Sequence, residues 1–199
     1  LRQRARRGHA VRTGARDLLR ARCGWRCGLR RFGEVVEEQR VQIVTDSTAD
    51  IPEDVASALD IWTVPLTVSF GQEAYFDRTE LSAPRFYEKM AASKELPKTA
   101  APALGLFHER YAKAIDLGRE VVSIHLSQRF SGTCAAAIAA ATQLPEAGIT
   151  VIDSRQASMG CGFLAIEAAE MAKEGADRQQ IVDRVNALLQ QVSIYVLLD

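Results

Sequence analysis

The residues best suited to chemistry lie in Leu126 to Ala136, LSQRFSGTCAA. Ser127, Ser131, Gly132 and Thr133 put three hydroxyls and a glycine into one short stretch. Hydroxyls and free backbone N–H groups are what an anion needs. The β-branched apolar run Val121 to Leu126 ahead of them predicts a buried strand. The alanine-rich run Cys134 to Ala141 after them predicts a helix with little side-chain entropy to lose. A helix start collects unpaired N–H groups and the positive end of its dipole. A phosphate or a carboxylate is a natural occupant there. The competing reading is plain helix capping by Ser131 or Thr133, the common use of those residue types.

Two other reaction classes use the same loop. Ser131 as the nucleophile of a hydrolase or transferase would need a base, and His108 and His125 are the histidines of the body. His125 lies within the predicted strand and is expected to point into the sheet's packing; His108 is expected to face solvent. No G-x-S-x-G elbow is present. A phosphate or nucleotide binder would want a P-loop lysine or a G-x-G-x-x-G run, and the loop has neither. Asp46, Ser47 and Thr48 form a second polar cluster, fit either for a ligand or for loop and capping bonds. Thr99 is the main polar group of Leu96 to Ala103 (LPKTAAPA), whose prolines and small residues predict an extended loop.

The elements that must position these groups follow in order. Val41 to Thr45 reads as a short strand, and Pro52 opens a helix to about Leu59, at a position where its missing N–H costs nothing. Ile61 to Phe70 reads as a strand interrupted at Pro65. Gly71-Gln72 turns into a hairpin arm, Glu73 to Asp77. Ser82 caps a helix with Pro84 in its first turn and Phe86, Tyr87 and Met90 on its apolar face. Leu104 to Ile115 is amphipathic through Leu104, Phe107, Tyr111 and Ile115. After the strand at 121–126 and the helix at 133–144 come a strand at Ile149 to Asp153 and a helix from about Ala157. Gly160 and Gly162 there permit close packing. A further helix, about Asp177 to Gln190, has Ile181, Val185, Leu188 and Leu189 on one face, and Ser193 to Leu198 reads as a last strand. This alternation predicts an α/β fold, a mainly parallel sheet flanked by helices. Ligands in such sheets bind beyond the carboxyl ends of the strands, where Asp46–Thr48, Ser127–Thr133 and Ser154 fall.

Composition narrows the choice. The chain has 199 residues, 47% of them apolar, enough for one domain or one and a half. No apolar run approaches a membrane span of about 20 residues. Formal net charge is zero, yet residues 1–40 hold 12 of the 25 Lys and Arg and 4 of the 25 Asp and Glu. That leaves 41–199 with a net charge of −8. An acidic body argues against a nucleic-acid groove. The Arg-rich segment 1–40 lacks the apolar region of a secretory signal. It is read as a disordered or artefactual extension, in preference to a nucleic-acid arm. Cys23 and Cys27 have no second Cys/His pair at metal-site spacing, so no metal and no cofactor are expected. Cys134 and Cys161 are expected in the core. Four cysteines without a disulfide framework suit a reducing cytoplasm. A chain that begins at Leu1 and ends in the apolar run SIYVLLD is read as a fragment, because a core strand's backbone groups need partners.

One set of motifs occurs in a telling order: VTDSTAD at 44–50, Val64-Pro65-Leu66, Phe86-Tyr87, Ser131-Gly132-Thr133 and VIDSR at 151–155. Residues 41–199 resemble the DegV family of bacterial fatty-acid-binding proteins. The resemblance implies two α/β lobes around a long-chain fatty acid, with this chain supplying the N-terminal lobe and the start of a truncated second. It implies that a loop threonine and the serine of the SGT segment bind the carboxylate, roles that fall on Thr99 and Ser131. Gly132 and Thr133 would add their N–H groups. The family loop runs closer to Pro-x-Thr-Ser-Gln-Pro-Ser; here Thr99 is kept and Ala100, Ala101 and Ala103 replace polar residues. The resemblance further implies a cytosolic lipid carrier without catalysis of its own, presenting the carboxyl to a fatty acid kinase.

Overall fold

The computed structural model describes residues 39–195. The segment 1–38, with Cys23 and Cys27, lies outside the described residues, as do residues 196–199. Strands β1 (Val41–Asp46), β2 (Trp62–Val64), β6 (Glu120–His125) and β7 (Ile149–Asp153) form a parallel sheet in the order β2-β1-β6-β7. Between β2 and β6 the chain makes β3 (Thr67–Phe70), β4 (Glu73–Phe76) and β5 (Lys98–Ala100), an antiparallel sheet ordered β4-β3-β5. The helices are α1 (Glu53–Ala58), α2 (Ala83–Ala92), α3 (Leu104–Asp116), α4 (Thr133–Ala141), α5 (Met159–Lys173) and α6 (Arg178–Leu188).

The period of two along the buried strands sorts the core into two layers. Val41, Ile43, Val122, Ile124 and Ile152 face α5 and α6, with Val55 and Leu59 from the α1 region on the same side. Val44, Val64 and Val121 face α3 and α4, through Phe107, Tyr111, Ala137 and Ala140. Small residues bring α5 close to the sheet. A Cβ on Gly162 would lie 2.4 Å from the Ala49 carbonyl oxygen, inside any allowed contact. The sequence reading of Gly160 and Gly162 as packing residues holds, and both Cys134 and Cys161 are buried.

Four readings need correction. Ile61 to Phe70 is two strands in two different sheets, because Pro65 has no N–H to continue a ladder and the chain turns away there. Residues 96–103 are not wholly loop: Lys98–Ala100 pair with β3, setting Thr99 opposite Val68. The expected last strand is absent at Ser193–Tyr195, and its remainder lies outside the described residues. His108 is partly buried. The hairpin was legible: β3 and β4 are antiparallel, and Gly71 takes the positive φ (59°) of the turn.

The Gly162 contact is with backbone, which cannot rotate away. Gly162→Ala is expected to destabilise the fold by about 1–3 kcal/mol despite alanine's better helix propensity, read as a lower urea midpoint. Gly105→Ala, where an added Cβ meets open space, is the control expected to be neutral or stabilising.

Candidate functional site

The β1–β6 boundary is a topological switch point. From β1 the chain crosses through α1 to β2 on one side; from β6 it crosses through α4 to β7 on the other. Those helices cover opposite faces of the sheet. The loops after β1 and β6 therefore part, and a crevice forms beyond the strand ends.

The loop after β6 is held turn by turn. Ser127 is buried; its N–H donates to the Gln156 carbonyl at 3.0 Å, and its own carbonyl accepts from Phe130 and Ser131. Gln128 N–H donates to Asp153 Oδ1 at 3.3 Å. Ser131 Oγ accepts from Thr133 N–H at 3.2 Å and lies 2.8 Å from Thr133 Oγ1. The N-cap of α4 is Gly132, so no side chain caps the helix from that position. Ser131, one residue earlier, takes up the first helical N–H instead. The capping reading was thus half right. Thr133 N–H is already bonded within the protein, while Gly132 N–H has no acceptor among the described residues. Ser131 is partly exposed, Gly132 is exposed and Thr133 is buried. If Thr133 O–H donates to Ser131, the Ser131 proton is left for a ligand.

Thr99 is exposed on β5, in the other sheet, and no hydrogen bond joins it to the Ser131 group. Within the described residues the structure therefore brings Ser131, Gly132 and Thr133 together and leaves Thr99 on a separate element. A cavity of about 300 Å³ opens near the carboxyl ends of β1 and β2, lined by Thr45, Asp46, Ser47, Asp50, Thr63 and Arg78 among others. Neither Thr99 nor Ser131 lines it.

Sequence reading missed a buried polar chain. Tyr111 O–H donates to Ser123 Oγ at 2.8 Å. Ser123 Oγ lies 2.6 Å from His125 Nε2, and His125 Nδ1 lies 3.0 Å from Asp46 Oδ2. Every group in it is buried. A proton on Nδ1 and none on Nε2 satisfies each donor and acceptor in turn. Asp46 also accepts from Leu126 N–H at 3.0 Å, from Thr48 N–H at 3.0 Å and from the Thr48 hydroxyl. Burial pushes the Asp46 carboxyl up, but the hydrogen bonds from His125, Thr48 and Leu126 outweigh it and hold the group below its ordinary value. The one available signal was two polar residues, Ser123 and His125, at period two in an otherwise apolar strand.

These distances resemble a serine–histidine–aspartate triad, but Ser123 is sealed under α3 and has no exposed surface. Ser131, the partly exposed serine of the loop, is bonded to Thr133, and no histidine hydrogen-bonds to it among the described residues. Ser47 likewise serves the fold, accepting from Leu66 N–H at 3.1 Å. Burial also raises the thiols, Cys161 to about 12, which leaves both cysteines as unreactive packing groups.

A carboxyl with a lowered pKa stabilises the fold above its unfolded value, ordinarily 3.8, and that contribution is lost as pH falls through the folded value. Asp46→Asn is therefore expected to be less stable at neutral pH and to lose less stability than wild type on going to acid. Urea melts by tryptophan fluorescence across the acid range measure this. A variant whose acid limb matches wild type would show that Asp46 contributes nothing to it.

Residues 40–199 match the family described as uncharacterised protein, DegV family. A DegV domain-containing protein of Halalkalibacterium halodurans is 41% identical over 148 residues, covering 74% of this chain and 52% of that protein. Among solved structures, DegV from Bacillus subtilis, described as a fatty acid binding protein, aligns at a TM-score of 0.70 and 34% identity, over 76% of this chain and 54% of that one. A DegV family protein from Thermus thermophilus, also described by its fatty acid binding, aligns at 0.70 and 31%, with 76% and 54% covered. The chain thus spans about half the length of the relatives it matches. The match over residues 40–199, together with the fold, places this chain in the DegV family.

Proposed function

We propose that the chain is part of a carrier for a long-chain fatty acid, with the carboxylate held at the loop after β6. The observation that supports this most is the Ser131–Thr133 turn: a partly exposed hydroxyl and a Gly132 N–H without an acceptor among the described residues, beside a helix start, at the switch point of a parallel sheet. A buried carboxylate without hydrogen bonds is costly, and these groups relieve that cost. Thr99 is the second hydroxyl of the reading, delivered from β5. Phe130, 60% exposed beside Ser131, offers apolar surface to the first methylenes. Each buried CH₂ adds about 0.8 kcal/mol, so the tail supplies affinity while the hydroxyls fix orientation. Similarity to proteins described as fatty acid binding supports the same ligand class.

On this reading the protein performs no chemistry on the lipid. It is a cytoplasmic carrier that presents the carboxyl to a kinase, which would form the acyl phosphate. Among the described residues no helix is long and apolar enough to cross a membrane.

Ser131→Ala is expected to weaken binding of a fluorescent long-chain fatty acid by about tenfold to a hundredfold, since a hydrogen bond to a charged group contributes about 1.5–3 kcal/mol. Thr99→Val keeps the volume and has no capping role; it is expected to weaken binding without moving the melt. A titration beside a urea melt separates the roles. Unchanged affinity in both variants overturns the assigned site, and turnover of an acyl ester lost in Ser131→Ala would favour the hydrolase.

A further inference from the structure

We infer that Asp46 and His125 are positioning residues for the Ser131 loop: ligand binding there depends on a buried pair that never touches the ligand. The inference rests on the reading of the loop as a carboxylate site, but its structural half stands alone.

Backbone pairing between β1 and β6 runs from Val41–Glu120 to Val44–Ser123 and stops. Two residues further on, the strands are joined by side chain instead. Asp46 Oδ2 takes the Leu126 N–H, at the residue where β6 ends and the loop begins. On the opposite side the loop's entry is held by backbone: Ser154 N–H on the His125 carbonyl and Ser127 N–H on the Gln156 carbonyl, both at 3.0 Å. The β1 side has the carboxylate in place of a ladder bond. Leu126 N–H has no other acceptor among the described residues, so the direction in which the chain leaves β6 is tied to where Asp46 Oδ2 stands.

His125 sets that position. Its Nδ1 reaches the same oxygen that Leu126 uses. The ring is fixed on its far edge by Ser123, which Tyr111 fixes in turn, and Phe107 packs edge-on against it at 5.0 Å between centroids. All five side chains are buried, so these contacts rather than bulk solvent satisfy the polar groups. A polar chain of this kind is stabilising only when every member is satisfied. The neighbouring positions on this face, Val44 and Val121, show that the sheet packs here with apolar side chains.

The test uses the intact chain and two readouts. In Asp46→Asn, hydrogen exchange at the Leu126, Phe130 and Ser131 amides is expected to speed up by about tenfold or more, equal to 1.4 kcal/mol of local opening. The Ile181 and Val185 amides of α6 should speed up by no more than the global destabilisation read in the urea melt. His125→Leu should behave as Asp46→Asn does. His125→Asn, whose amide can still donate to Asp46, should restore slow loop exchange. If Asp46→Asn does not fold, the two His125 variants carry the comparison. Fatty-acid affinity should fall and recover in the same order. A uniform rise in exchange, or a loop at wild-type rates, overturns the inference. Loop exchange that responds as stated in a chain that binds no fatty acid leaves the positioning role intact and overturns the proposed function.

Discussion

A carboxylate buried between two parallel strand ends must have all its lone pairs satisfied, and much of this molecule is arranged around that requirement at Asp46. Its acceptors take bonds from the loop that follows it, from the end of β6 and from an imidazole on the same face. Those bonds hold the carboxyl in its charged form against the burial that opposes it. They also replace the β1–β6 ladder just where it runs out. The edge of the switch-point crevice is therefore set by a side chain rather than by regular backbone pairing.

The second constraint is Pro65. By ending β2 after three residues it diverts the chain into a separate three-stranded sheet before α3 returns it to the main core. Thr99 rides on that excursion. The two hydroxyls of the proposed site thus belong to different sheets, one anchored in a buried parallel core and one on an exposed short strand. The unequal support has a physical consequence. Ser131 is held by loop bonds to Ser127 and Thr133 beside the core, whereas the position of Thr99 depends on a three-residue ladder to β3.

The close approach of α5 completes the frame. Gly162 sits against the Ala49 carbonyl, so the loop after β1 is pressed onto a helix with no side chain between them. That contact lies one turn of chain from Asp46. The loops after β1, β6 and β7 are in this way linked by backbone contact, by a carboxylate and by the carbonyl of Gln156.

Sequence alone determined the α/β alternation, the strand–loop–helix at 121–141 and the buried cysteines. Each depends on local period, on β-branched runs or on turn residues, all of which are written in order along the chain. It also determined the family, because the VTDS, SGT and VIDSR segments recur together. Tertiary structure decided the rest. That Ile61 to Phe70 serves two sheets depends on which partners lie beside each half. That Ser131 rather than Gly132 takes the first N–H of α4 depends on the turn's geometry. That Asp46 finds His125 across 79 residues depends on β1 and β6 being neighbours in the sheet, a fact of strand order that no local pattern encodes. The strand already placed His125 in the sheet's packing; only the packing of α3 over that face joins it to Ser123 and Tyr111.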